Sequence, residues 1–193
     1  MAYCALVVLV AGALAVVTPA AADDVVRNSS TNLDNLRAHP PFVLVVSAFV
    51  EPSLLELWIV VPLVWALGAV QRWLGRASVV VTVALGHIGA TLFVATILTA
   101  GIAKGRVALS AAEATDVGVS YGLAAALAVL TARVTPTRRR WARLLPTAAL
   151  VVVVWWDRSF TDLGHLAAWT IGLGLSVLVE HAGRLGREAT ATR

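Results

Sequence analysis

Apolar positions in this chain come in long unbroken runs, with polar residues gathered into short stretches between them. The runs Leu54 to Leu74, Val79 to Ile102, Val117 to Val134 and Leu163 to Val179 each approach the ~20 residues that carry an α-helix across ~30 Å of hydrocarbon. A further run, Leu144 to Trp156, contains Val151-Val152-Val153-Val154 and ends in Trp155-Trp156, a pair suited to the membrane–water interface. It is short for a full span, so thinned lipid is expected around it. The first run, Ala2 to Ala22, is long enough to cross. It ends in Pro19-Ala20-Ala21-Ala22 before Asp23-Asp24, a small-residue pattern of the cleavage-site type, but no positive segment precedes it. Residues 1–22 are therefore read as a first helix or an uncleaved signal.

In hydrocarbon every backbone N–H and C=O has to be satisfied within its own segment, and runs of this kind do so as helices. The expected fold is all-α, a polytopic membrane protein whose residues 1–193 form a single bundle of six transmembrane helices. Residues 23–52 form an outer loop in which Pro40-Pro41 leads into Phe42 to Val50, too brief to cross and expected to lie at the interface. Helices two to six fill residues 53–181, and residues 182–193 form a cytoplasmic tail.

Composition agrees with bilayer as the solvent: 59% of residues are hydrophobic and 13% charged, against about 25% charged in soluble domains. The net charge of +4 would suggest nucleic acid in a soluble protein. Here the arginines sit between apolar runs, where they set orientation, and no nucleic-acid partner is expected. With the N-terminus inside, the inner segments hold Arg72, Arg76, Arg133, Arg138, Arg139, Arg140, Arg143, Arg184, Arg187 and Arg193. The outer segments hold Arg27, Arg37, Lys104, Arg106 and Arg158, so the bias of ten against five places both termini in the cytoplasm of a multi-pass cell-membrane protein. Cys4 has no partner for a disulfide, and no cluster of His and Cys offers a metal site, so neither metal nor cofactor is expected.

Polar side chains inside spans are costly and mark functional positions. The fourth helix opens Asp116-Val117-Gly118-Val119-Ser120-Tyr121-Gly122, with Ser120 about one turn below the outer surface. The sixth opens Asp162-Leu163-Gly164-His165-Leu166, with His165 at nearly the same depth. A hydroxyl becomes a nucleophile when a neutral imidazole at ~3 Å can take its proton, and matched depth permits that contact. Gly118, Gly122 and Ala126 repeat every fourth residue on one helix; Gly164, Ala168, Gly172 and Ser176 do so on the other. These small-residue ridges would let the two backbones approach. The alternative is that the ridges only pack helices and Ser120 bonds back to a carbonyl one turn earlier. Asp116 and Asp162 read as N-terminal caps. Glu56, near the outer end of the second helix, either snorkels to water or lines the same cavity, with Tyr121 beside it. His87 is placed toward the inner end of the third helix, bonding a neighbouring helix.

These residues resemble the rhomboid family of intramembrane serine proteases, in particular its divergent actinobacterial rhomboid-like members. The resemblance covers roughly Pro40 to Glu180, including Ala69-Val70-Gln71-Arg72-Trp73-Leu74-Gly75 at the turn after the second helix. It implies a nucleophile at Ser120 in Gly118-Val119-Ser120, and a base at His165 followed by Ala168 and Gly172. Substrates would then be transmembrane segments of other membrane proteins, entering between the second and fifth helices. In the family's pattern Gly follows the Ser directly, and a Tyr stands four residues after it; Tyr121 and Ala124 occupy those positions here. The positions of the second helix that would carry His and Asn for the oxyanion hold Leu55 and Ile59. Two functions are consistent with this pattern: a Ser–His protease, or a catalytically inactive scaffold that binds transmembrane helices or aids membrane-protein quality control.

Overall fold

A computed structural model describes residues 2–191; residues 192 and 193, the end of the expected tail, lie outside the described residues. The first helix, α1 (Ala2–Val16), stops before the end of its apolar run. Thr18 accepts the Ala21 N–H on its hydroxyl at 3.3 Å and starts α2 (Pro19–Ser29), with Pro19 where a missing N–H costs nothing. Asn32 caps α3 (Leu33–Ala38) by accepting the Asn35 N–H at 2.9 Å, and the paired prolines open α4 (Pro40–Val46). A 3₁₀ turn, Ser47–Phe49, follows. The expected outer loop is thus a layer of short helices that runs along the bundle from the end of α6, where Leu33 packs with Leu98, to the middle of α6, where Ser47 bonds His87.

Another 3₁₀ turn, Leu54–Ile59, feeds α5 (Val60–Leu74). Gly75, at φ +87°, ends α5 and lets the chain reverse at once into α6 (Arg76–Ala103). The central helix is α7 (Ser120–Leu130), prolonged by a 3₁₀ turn at Thr131–Arg133. It begins three residues later than its apolar run, because Gly118 at φ +124° cannot belong to a right-handed helix. The helix α8 (Pro136–Asp157) is longer than expected. At 22 residues it reaches about 33 Å, because Arg138, Arg139, Arg140 and Arg143, which an apolar count leaves out, are good helix formers and continue the helix toward Pro136. The last helix, α9 (Phe160–Ala191), runs on through most of the segment expected to be a tail.

The bundle consists of α1 and α5 to α9. By length and composition Leu55–Leu74, Arg76–Ala103 and Phe160–Gly183 can cross a membrane on their own; α1 and α7 are shorter apolar helices, and α8 is long but rich in arginine. Surrounded by α5, α6 and α9, α7 buries nearly its whole circumference. Leu63, Ala66, Leu67 and Val70 of α5 pack with Leu123, Ala126 and Leu130 of α7 and with Val7 of α1. On other sides small residues let backbones close up: Gly86 of α6 lies against Ala125, and Gly172 of α9 against Ala125 and Ala128. Van der Waals contact of this sort is what holds helices together where lipid is as apolar as the side chains.

Candidate functional site

The outer layer and the central helix meet at Gly118. Its N–H donates to the Ser47 carbonyl at 3.0 Å, and the next N–H, that of Val119, donates to Glu51 Oε1 at 3.3 Å. A side chain at residue 118 would be disfavoured by the positive φ, and its Cβ would stand 3.0 Å from the Glu51 carboxylate. Ser120 is the first residue of α7 and is partly buried. The first backbone bond of the helix is Leu123 N–H to Val119 C=O, at 3.0 Å, so the N–H groups of Ser120, Tyr121 and Gly122 have no partner among the described residues. They point out of the positive end of the helix dipole, where developing negative charge is stabilised.

All four members of the α9 ridge face α7. Gly164 lies under the Tyr121 ring, Ala168 packs with Tyr121 and Ala90, Gly172 meets Ala125 and Ala128, and the Ser176 and Thr131 hydroxyls are 3.1 Å apart. The α7 ridge does not answer it: Gly122 faces Val83 of α6, Ala126 faces the α5 core, and Gly118 lies outside the helix. The residues of α7 that meet α9 are Tyr121, Ala125 and Ala128, one step of about 100° from Ser120 and Ala124. Tyr121 therefore touches His165, with ring centroids 5.2 Å apart and planes at 80°. No hydrogen bond joins Ser120 and His165 among the described residues. The nearest acid to His165 is Asp162 of the preceding turn, 4.0 Å from Nδ1.

Tyr121 is held from its other end. Its hydroxyl donates to both oxygens of Asp116, at 3.1 and 3.2 Å, and Thr31 donates to the same carboxylate at 3.3 Å. Asp116 is thus not a cap of α7 but the anchor of Tyr121. Burial pushes its carboxyl above the ordinary range, opposed by the two hydroxyls. The Asp116 N–H donates to Ser30 at 2.8 Å and its carbonyl accepts from Thr31, which ties the outer layer to the start of α7.

With this arrangement in place, the comparison that decides kinship is a match of the rhomboid-like protein family over residues 1–185. The chain belongs to that family. No curated protein and no solved structure matches it.

In this rhomboid-like protein Leu55 and Ile59, expected from the resemblance at the family's side-chain oxyanion positions, lie on the 3₁₀ turn ahead of α5, where Leu55 is exposed and Ile59 packs on the core. Neither can donate a hydrogen bond. Glu56 is exposed on the same turn, whereas Glu51 reaches α7 from just before it. Glu51 escapes a sequence reading because it sits in a loop beside Pro52, outside every apolar run; its only signal is a lone acid next to an interfacial segment. Burial raises its carboxyl to about 7, against the lowering by the Val119 N–H.

His87 also differs from its expected place. It lies midway along α6, with Nε2 2.8 Å from Ser47 Oγ and its ring 6.0 Å from that of Tyr121. Among the described residues the Ser–His pair in hydrogen-bond contact is therefore one that joins the outer layer to α6. Both residues are buried, and His87 forms part of the wall of an apolar cavity of about 420 Å³ between α1, α4 and α6. His87 Nδ1 and the Thr91 hydroxyl one turn on have no partner among the described residues.

Proposed function

We propose that the protein is a rhomboid-type intramembrane serine protease of the cell membrane, with both termini cytoplasmic, that cleaves transmembrane segments of other membrane proteins. The observation that carries this reading is the position of Ser120 at the head of α7, beside three unpartnered N–H groups and at the level of His165. Ser120 Oγ attacks the scissile carbonyl carbon while its proton passes to His165; the oxyanion collects N–H donors from Ser120, Tyr121 and Gly122; the protonated imidazole then gives its proton to the departing amine. Water, activated by His165 in turn, releases the acyl group and regenerates Ser120. Asp162 lies 4.0 Å from the imidazole Nδ1, one turn before it on the same helix. Catalytic hydrogen bonds are often unmade before substrate binds, so the open Ser120–His165 pair is compatible with this chemistry. Access from lipid is supported by α8, which packs on α9 and contributes no buried side chain.

Two observations favour the non-catalytic alternative, a scaffold that binds transmembrane helices. Tyr121 occupies the contact with His165, and the missing donors at Leu55 and Ile59 correspond to a loss of ~10² to 10³ in rate. Labelling with a fluorophosphonate probe in detergent separates the readings. Wild type is expected to label, with labelling abolished in both Ser120→Ala and His165→Ala; folded wild type that stays unlabelled would establish the scaffold.

A further inference from the structure

At the opposite end of the bundle, α8 opens with an unbalanced charge. Arg138, Arg139, Arg140 and Arg143 occupy its first turns, where the helix dipole is itself positive, and no acid stands in the first turn. The one carboxylate that answers them among the described residues is Glu180 of α9. Arg139 pairs with it at 2.8 Å, and Arg143 pairs with its other oxygen. Both cations are otherwise engaged: Arg139 donates to the Val134 carbonyl at 3.0 Å, and Arg143 donates to the hydroxyls of Thr131 at 3.1 Å and Ser176 at 2.7 Å.

Arg140 is different. Its guanidinium lies 5.2 Å from the centroid of the exposed Trp141 ring and makes no hydrogen bond or ion pair among the described residues. It borders a cavity of about 370 Å³ walled by Pro136, Arg139, Arg140, Arg143, Leu144 and Glu180. Three cations and one anion give that wall a net charge of +2, in addition to the positive helix end. One turn further along α8, Leu144 and Leu145 are exposed. A cationic cavity that opens directly onto an apolar strip has the two-part character of a phospholipid.

We propose that this cavity binds the headgroup of an anionic phospholipid, its phosphate on the free guanidinium of Arg140 and its acyl chains along Leu144 and Leu145. A planar guanidinium takes two phosphate oxygens at once, and basic pockets between helices at the membrane surface suit anionic headgroups. The ligand neutralises what Glu180 leaves over.

The test is native mass spectrometry of the purified full-length protein titrated with phosphatidylglycerol, phosphatidylcholine and inorganic phosphate. Phosphatidylglycerol is expected to bind at least tenfold more tightly than phosphatidylcholine. With each surface arginine contributing about fivefold, Arg140→Gln should weaken it about fivefold and Arg140→Glu, a change of two charges, about thirtyfold. Arg106→Gln, exposed between α6 and α7, should leave it unchanged, and circular dichroism should report the same helicity for every variant. Equal binding of the two lipids, or an Arg140→Glu protein that binds as wild type does, overturns the proposal. So does displacement of the lipid by inorganic phosphate at equal concentration, which would mark an adventitious ion only.

Discussion

At the scale of single residues the site depends on how Tyr121 is seated. Its ring lies on the bare backbone of Gly164 and its hydroxyl is fixed by Asp116, so it orders α7 against α9 where Ser120 and His165 are carried. A methyl at residue 164 would fall on the hydroxyl and ring, with Cε1 at 2.7 Å. Gly164→Ala is expected to cost about 1–3 kcal/mol of stability, read as a lower melting temperature in detergent. Glu51 has a separate signature. Its carboxyl titrates near 7 in the folded protein and at an ordinary 4.5 when the chain unfolds. Between those values the folded state holds a proton that the unfolded state has lost, so stability is highest below about 4.5, falls as pH rises through that window and levels off above about 7. Melting temperature followed from pH 5 to pH 8 should show this fall, and Glu51→Gln, which keeps an acceptor for Val119, should flatten it.

At the scale of elements, what could be read from sequence was what repeats. The apolar runs locate six helices, and the four-residue spacing of Gly164, Ala168, Gly172 and Ser176 identifies the α9 face that meets α7. The partner face on α7 could not be read the same way, because Tyr121, Ala125 and Ala128 include a large aromatic that no small-residue pattern reports. Its seat depends on an acid, Asp116, and on Thr31, 85 residues away in sequence. Helix ends were hidden for similar reasons: Gly118 stops α7 through a backbone angle, and arginines extend α8 where apolar counting ends. The rotation of α7 that sets Tyr121 against His165 was not legible either. Because α8 buries no side chain, its attachment rests on Trp169 donating to Thr147 at 2.9 Å and on the pairing of Arg139 and Arg143 with Glu180. Removing the carboxylate from a partly buried cluster of this kind costs about 1–3 kcal/mol. Glu180→Ala should therefore speed amide exchange over residues 136–147 roughly tenfold or more while leaving α7 protected.

At the scale of the whole molecule, a rigid centre carries a loosely held periphery. The helices α5, α6, α7 and α9 close on one another through small residues, the outer layer is bonded to the head of α7, and α8 leans on α9 and on the 3₁₀ turn that prolongs α7. The dependence of α8 on Glu180 also bears on how the chain folds during synthesis. The carboxylate that pairs with Arg139 and Arg143 is translated 37 residues after Arg143. The start of α8 therefore gains its ion-pair partner only once α9 is made, and a chain that stops after α8 is expected to hold that end more loosely.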